Sequence, residues 1–277
     1  SWTIRQNELA YNDGGGVEVG SGTKVIGNKV HHNAQVGYGC RLYRPQTALP
    51  ILLDSNEFAF NNYQDKYEPG FEAGGGKITQ SNYTVVTHNY THDNHGPGLW
   101  DDIDNRNITY SYNLAENNDG GGIFHEIGYN ASIHHNVLKN NGRVWAGWLW
   151  NAGIQISSSG GEAGGLIEIY ENTVVTNAVS NGIGIMQQNR DADPCSYGRC
   201  LVQNIYVHHN TVDISKGGTT GVAQDTGDNA IFTSRNVKLD YNTYIMGSNP
   251  SPFHYNNQQG PKSLFQNAGQ ELHGVFK

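Results

Sequence analysis

The chain has 277 residues, 36% of them apolar, with 36 glycines and 33 asparagines; this excess of poor helix formers that are good turn formers points to a turn-rich all-β protein and away from helix bundles. Lys and Arg number 17 against 25 Asp and Glu, a formal charge of -8, which argues against nucleic acid and anionic membranes as partners and disfavours a strongly anionic polysaccharide. No run of about 18 apolar residues is present to span a membrane, and residues 1–25 lack the basic start and apolar core of a signal peptide, so the chain reads as mature or excised.

Taken in order, the chain repeats. An Asn followed five residues later by a second Asn, then by Gly and an aliphatic-x-aliphatic run, starts units at Asn7, Asn28, Asn56, Asn89, Asn113, Asn136 and Asn172, with weaker copies at Asn210 and Asn242. The intervals are 21, 28, 33, 24, 23, 36, 38 and 32 residues, a basal period near 21 to 24 lengthened by inserted loops. Segments such as TIRQNELAYN, TKVIGNKVHHN, NITYSYNLAENN and ASIHHNVLKNN alternate apolar and polar residues, turn, and then add GVEV, GYGC, GIFHEI or GIQI. Each unit therefore predicts two or three very short strands. Such a unit cannot bury its own apolar side, whereas coil stacked on coil pairs every strand above and below and lines a narrow continuous core. The repeated Asn then bonds the amide of the next coil and forms a ladder.

These features resemble the right-handed parallel β-helix proteins, a broad group of carbohydrate-binding and sugar-cleaving solenoids. The resemblance covers about residues 1–250 and implies about 8 to 10 coils with inserted loops. SLFQNAGQELHGVFK looks like the tail that follows the last coil in bacterial members, so 251–277 is expected to pack on or after that coil. Ser1–Asn7 starts inside a coil with nothing amphipathic before it, which predicts a missing upstream piece, or an oligomeric partner, over the open end. The resemblance is to the fold group and carries over no catalytic residues.

One pair of units stands out. Asn94–Asn105 reads NHGPGLWDDIDN, and 24 positions later Asn118–Tyr129 reads NDGGGIFHEIGY, with Phe124, His125 and Glu126 in place of Trp100, Asp101 and Asp102. If Val17, Leu99 and Ile123 point inward, alternation turns Trp100, Phe124, Asp102 and Glu126 outward on one face. Neighbouring coils lie about 4.8 Å apart, so Asp102 and Glu126 become neighbours at about 5 Å, the spacing of a retaining glycosidase pair. Their mutual repulsion should push one toward its protonated form. A second reading of the same stretch is a Ca²⁺ site, with Asp101, Asp102, Asp104 and Asn105 as hard oxygen donors; a third is a solvated acidic face. Asp101 and His125 fall on an inward position, where they either orient a catalytic group or make a satisfied core contact. His95, on the turn leading in, could donate to a substrate, although loop histidines are more often inert.

Around this strand pair, GRVWAGWLWNA brings Trp145, Trp148 and Trp150 to the next coil, indoles suited to the flat faces of sugars or to a hydrophobic cluster of the loop itself. Arg143 starts that loop and could steer an acidic group. Tyr129 and, if GFEA aligns with GLWD, Glu72 complete the expected substrate-binding set. Arg41–Leu53, Asn62–Gly70 and Gln187–Leu201 are the expected walls. Cys195 and Cys200 bracket SYGR and either close a local disulfide or stay free, while Cys40 reads as a buried thiol. The His31–His32, His134–His135 and His208–His209 pairs are not expected to chelate, because adjacent residues of a strand face opposite ways. The sequons at Asn82, Asn89, Asn107 and Asn130 fall in turns where the ladder needs Asn anyway.

No nucleophile elbow, phosphate loop, Cys-His nucleophile arrangement or dinucleotide fingerprint is present. The expectation is therefore a secreted or cell-surface enzyme that hydrolyses a polysaccharide or oligosaccharide with Asp102 and Glu126, assisted by Asp101, His125 or His95, with no required cofactor. The alternatives are a Ca²⁺-dependent lyase or epimerase acting on a uronic polymer, against which the scarcity of Lys and Arg near these coils counts, and a non-catalytic glycan-binding or adhesin solenoid.

Overall fold

The structure is a computed structural model and describes residues 2–41, 49–144, 147–162, 164–190 and 195–277, with only the backbone at 40 and 41. Among the described residues three sheets of 9, 10 and 10 strands wrap one axis, each taking every third strand of the chain in order, except that the third ends on two consecutive strands. The first sheet runs from Thr3–Arg5 to Val237–Asp240, the second from Glu8–Ala10 to Val275–Phe276, and the third from Val17–Glu18 to Gln258–Gly260. Pairing between coils is parallel, as between Leu99–Asp102 and Ile123–Glu126. Among the described residues only the closing hairpin of Phe253–Tyr255 with Gln258–Gly260 is antiparallel. This is the all-β right-handed parallel β-helix that the resemblance implied and the stacked coils that the repeat predicted.

Alternation does the packing. In the first sheet Leu53, Val86, Tyr110, Ile133, Ile169 and Val207 are successive register partners, and all lie in the one main core cluster. At the two corners that precede and follow the second sheet, asparagine ladders replace the apolar columns. One runs from Asn7 through Asn28, Asn56, Asn89, Asn113, Asn136, Asn172 and Asn210 to Asn242, each Oδ1 accepting the backbone N–H and Nδ2–H of the coil before it at 2.9–3.2 Å. The other links Asn12, Asn33, Asn61, Asn94, Asn118 and Asn141. Asn89, a formal sequon, is thereby buried within the first ladder. Residues 251–277 add the last partial coil: Phe265 enters the core, and the Glu271 carboxylate accepts from Asn242 where the next ladder residue would stand.

Every described residue just before a ladder Asn has φ between 50° and 64°, from Gln6 and Tyr11 to Tyr241. For non-Gly residues this left-handed corner costs about 1–2 kcal/mol each, offset by the ladder bonds that follow. The corner also corrects one expectation. His31, His134 and His208 end strands, while His32, His135 and His209 occupy corners at φ 51°, 56° and 55°. Strand alternation stops there, so both rings of each pair turn to one side and their Nδ1 atoms meet at 2.8–2.9 Å.

Candidate active site

The third sheet carries the unusual unit pair. Parallel register sets Leu99 beside Ile123, Trp100 beside Phe124, Asp101 beside His125 and Asp102 beside Glu126. Leu99 and Ile123 are in the core and Asp102 and Glu126 share the outward column, as alternation requires. That face is not bare, however. Inserted loops cover it, so Trp100, Asp102, Phe124 and Glu126 are all buried at 1%, 6%, 7% and 5% exposure.

What remains open is a cleft of about 480 Å³ whose wall includes His95, Trp100, Phe124, Glu126, Trp150, Asn151, Gln155 and Arg190, together with Asp65, Glu68 and Asp119. Trp100 stacks on Phe124 with ring centroids 5.3 Å apart and planes at 9°, and Trp150 meets Phe124 edge-on at 6.1 Å. The result is an aromatic floor and side wall. His95 Nδ1 lies 2.7 Å from Asp65 Oδ1, tied to the rim rather than to the paired carboxylates.

Two cations that sequence spacing did not assign sit with the acids. Lys77 Nζ is 2.7 Å from Asp102 Oδ2, 3.8 Å above the Trp100 ring, and donates to the Phe71 carbonyl at 2.7 Å. Arg190 donates to Glu126 and to Gln188 Oε1. Burial raises the Asp102 carboxyl above its usual range, with the Lys77 charge and hydrogen bond pulling the other way, then Arg190. Desolvation, rather than repulsion from Glu126, is thus the leading cause. Lys77 was legible in principle: GGK at 75–77 aligns with GLW at 98–100, since Lys77 is the register partner of Trp100. Arg190 comes from an inserted loop and leaves no periodic signal.

Several expected site residues lie elsewhere. Glu72 does not occupy the outward position equivalent to Trp100, because Lys77 does; it ends the short helix Pro69–Glu72 and lines a separate groove with Glu18 and Lys77. Tyr129 is buried, its hydroxyl donating to the Gly198 carbonyl at 3.0 Å, so it anchors the loop after Cys195 and does not line the cleft. Arg143 is engaged by Asp119 and Asp93 at 2.9 and 3.4 Å. Trp148 packs on Leu149, Met186 and Ala223, and Trp145 lies outside the described residues, as does the Cys40 side chain. Cys195 and Cys200 are joined as a disulfide.

Asp101 and His125 are fully buried, with Oδ2 2.7 Å from Nδ1, and the Tyr110 hydroxyl donates to Asp101 Oδ1 at 2.9 Å. The pair replaces an apolar step in the core column between Ile78 and Ile156 and does not reach the cleft. Asp104 turns to a third direction and accepts from the backbone N–H and hydroxyl of Ser196. Asp101, Asp102 and Asp104 therefore do not converge on a common Ca²⁺ position, and among the described residues no group of three or more His, Cys, Asp or Glu is placed to hold a metal ion.

No curated protein and no solved structure matches the chain. The family described as the right handed beta helix region matches residues 1–177, well over half of the 277. With its three parallel sheets and stacked asparagines, the chain belongs to the right-handed β-helix family.

Proposed function

We propose that this protein is a secreted enzyme that hydrolyses a neutral oligosaccharide or polysaccharide in the cleft over the third sheet, with Asp102 and Glu126 as its carboxylate pair. The observation that carries the reading is the register of those two residues on adjacent strands, with Glu126 in the wall of an aromatic-floored cleft. Neighbouring strands at about 4.8 Å suit a retaining, two-carboxylate reaction. On this reading Glu126 meets the sugar from the cleft wall, and Asp102 is its register partner behind it, a carboxyl that burial raises while Lys77 pulls the other way. Trp100, Phe124 and Trp150 supply faces on which sugar rings stack. Asp65, Glu68, Asp119 and Glu126 outnumber Arg190 around the cleft, a balance that favours a neutral glycan over a polyuronate. The local disulfide is consistent with export to an oxidising compartment.

A second reading, elimination from a uronic polymer, is favoured by Lys77 and Arg190, cations close enough to neutralise a substrate carboxylate. Both already serve Asp102 and Glu126, which is why hydrolysis is preferred. Incubation with a panel of neutral and uronic glycans separates the readings. Hydrolysis predicts reducing ends without an absorbance rise from unsaturated sugar, and loss of cleavage by about 100- to 10,000-fold in Asp102→Asn and in Glu126→Gln. Cleavage unchanged in both variants refutes the assignment, unsaturated product establishes elimination, and glycan binding without turnover by the unaltered chain makes it a binding solenoid.

A further inference from the structure

The three His-His pairs sit at helix corners away from the cleft, and the proposed hydrolysis makes no use of them. In each, the Nδ1 atoms of consecutive residues face one another: 2.9 Å for His31 and His32, 2.9 Å for His134 and His135, 2.8 Å for His208 and His209. The rings stand nearly perpendicular, at 86°, 86° and 88°. In every pair one imidazole also sets its other nitrogen against a carboxylate: His31 Nε2 to Glu8 at 3.0 Å, His135 Nε2 to Glu171 at 2.9 Å, His208 Nε2 to Glu168 at 3.0 Å. A carboxylate accepting Nε2–H fixes the tautomer that leaves Nδ1 bare, which is how metal-bound histidines are commonly held. In the metal-free protein the facing ring then donates its own Nδ1–H across the gap; moving that proton to its Nε2 leaves two neutral nitrogens 2.8–2.9 Å apart.

The geometry points to a transition-metal site at each pair, a cis two-nitrogen chelate selective for Cu²⁺. With metal–nitrogen bonds of about 2.0–2.1 Å, donors separated by about 2.9 Å subtend close to 90° at the metal, whereas a tetrahedral ion would need about 3.3 Å. A right-angled bite suits tetragonal Cu²⁺ or Ni²⁺, and Cu²⁺ heads the affinity order of the divalent series. Two protein nitrogens leave the remaining positions to water, which the surface allows, since His135 and His209 are exposed and their partners partly so. The arrangement is produced by the fold, because the left-handed corner before each ladder Asn is what turns the second ring beside the first. His134 and His208 lie on the same corner two coils apart, through Tyr170, or about 10 Å along the axis.

The test is titration of the full chain with CuCl2, followed by calorimetry and electron paramagnetic resonance. Three two-nitrogen sites are expected, each of His32→Asn, His135→Asn and His209→Asn removing one equivalent of the tighter class; Asn keeps the left-handed corner comfortable. Dipolar broadening between the two ions on the shared corner should vanish in His209→Asn. Glu171→Gln, which leaves both imidazoles in place, should weaken its site about 10- to 100-fold. Unchanged stoichiometry in the Asn variants, or spectra with one nitrogen per ion, would overturn the assignment. The same spectra with Zn²⁺ in competition read the selectivity: displacement of Cu²⁺ by an equal amount of Zn²⁺ would also refute it.

Discussion

Single side chains carry the coil stacking. Asn113 accepts from the backbone and side chain of Asn89, donates to Asn136 Oδ1 at 3.0 Å and donates to the Val86 carbonyl at 2.9 Å, all in the buried interior. Replacing it by Ala strands several buried groups at once, and each unpaired group costs about 1–3 kcal/mol. Asn113→Ala is expected to lose about 3 kcal/mol or more, read as a lower urea midpoint at constant slope. This role was legible from the recurrence of Asn alone. The roles of the acids were only half legible, because spacing placed Asp102 beside Glu126 but could not show that Lys77 and Arg190 occupy them. Nor could it show that Tyr129, drawn into the same list by proximity in sequence, faces a distant loop.

At the scale of elements, the strands are set by alternation and the corners by the left-handed residue before each Asn. Sequence reasoning treated the histidine pairs as strand residues and so set their rings on opposite faces; the corner reverses that. Inserted segments behave differently, since each is held by contacts of its own. The loop closed by the Cys195–Cys200 disulfide, with sequence separation 5, is one such segment. There Ser196 donates to Asp104, Tyr129 donates to Gly198, and Arg106 lies 4.2 Å over the Tyr197 ring. A ring that short contributes about 2 kcal/mol by the chain-entropy relation. Cys200→Ser should therefore lower stability by about that much in chemical unfolding, with the parallel sheets intact by circular dichroism.

For the whole molecule, the solenoid interior contains phenols as well as aliphatic groups. Burial raises Tyr38, Tyr110 and Tyr244 above the ordinary value of 10.0, and raises Tyr129 to about 12. The sign follows from proton binding. Above about pH 10 the unfolded chain gives up phenolic protons that the folded chain keeps, so the folded state binds more protons and loses stability as pH rises. Thermal midpoints should fall steadily from pH 10 to 12, and phenolate absorbance should lag behind that of the denatured chain until unfolding releases it. A midpoint independent of pH over that range would contradict the burial of these rings.

What the sequence determined by itself is the periodic part: the β-helix, its asparagine ladders, the inward and outward columns, and the adjacency of Asp102 and Glu126. These follow from local rules repeated every coil, namely alternation along strands and a turn residue with its own hydrogen bonds. Only the tertiary structure decided what covers the outward face, because Arg190 and the loops around the cleft arrive from inserts of irregular length with no repeat to align them, while Lys77, although on a regular strand, is joined to Asp102 only once the strands are paired. It also decided the direction of side chains at the corners, where φ changes sign and strand alternation no longer applies. Asp102, read as a surface acid from its column, keeps that outward column but is buried beside Lys77 under the covering loops.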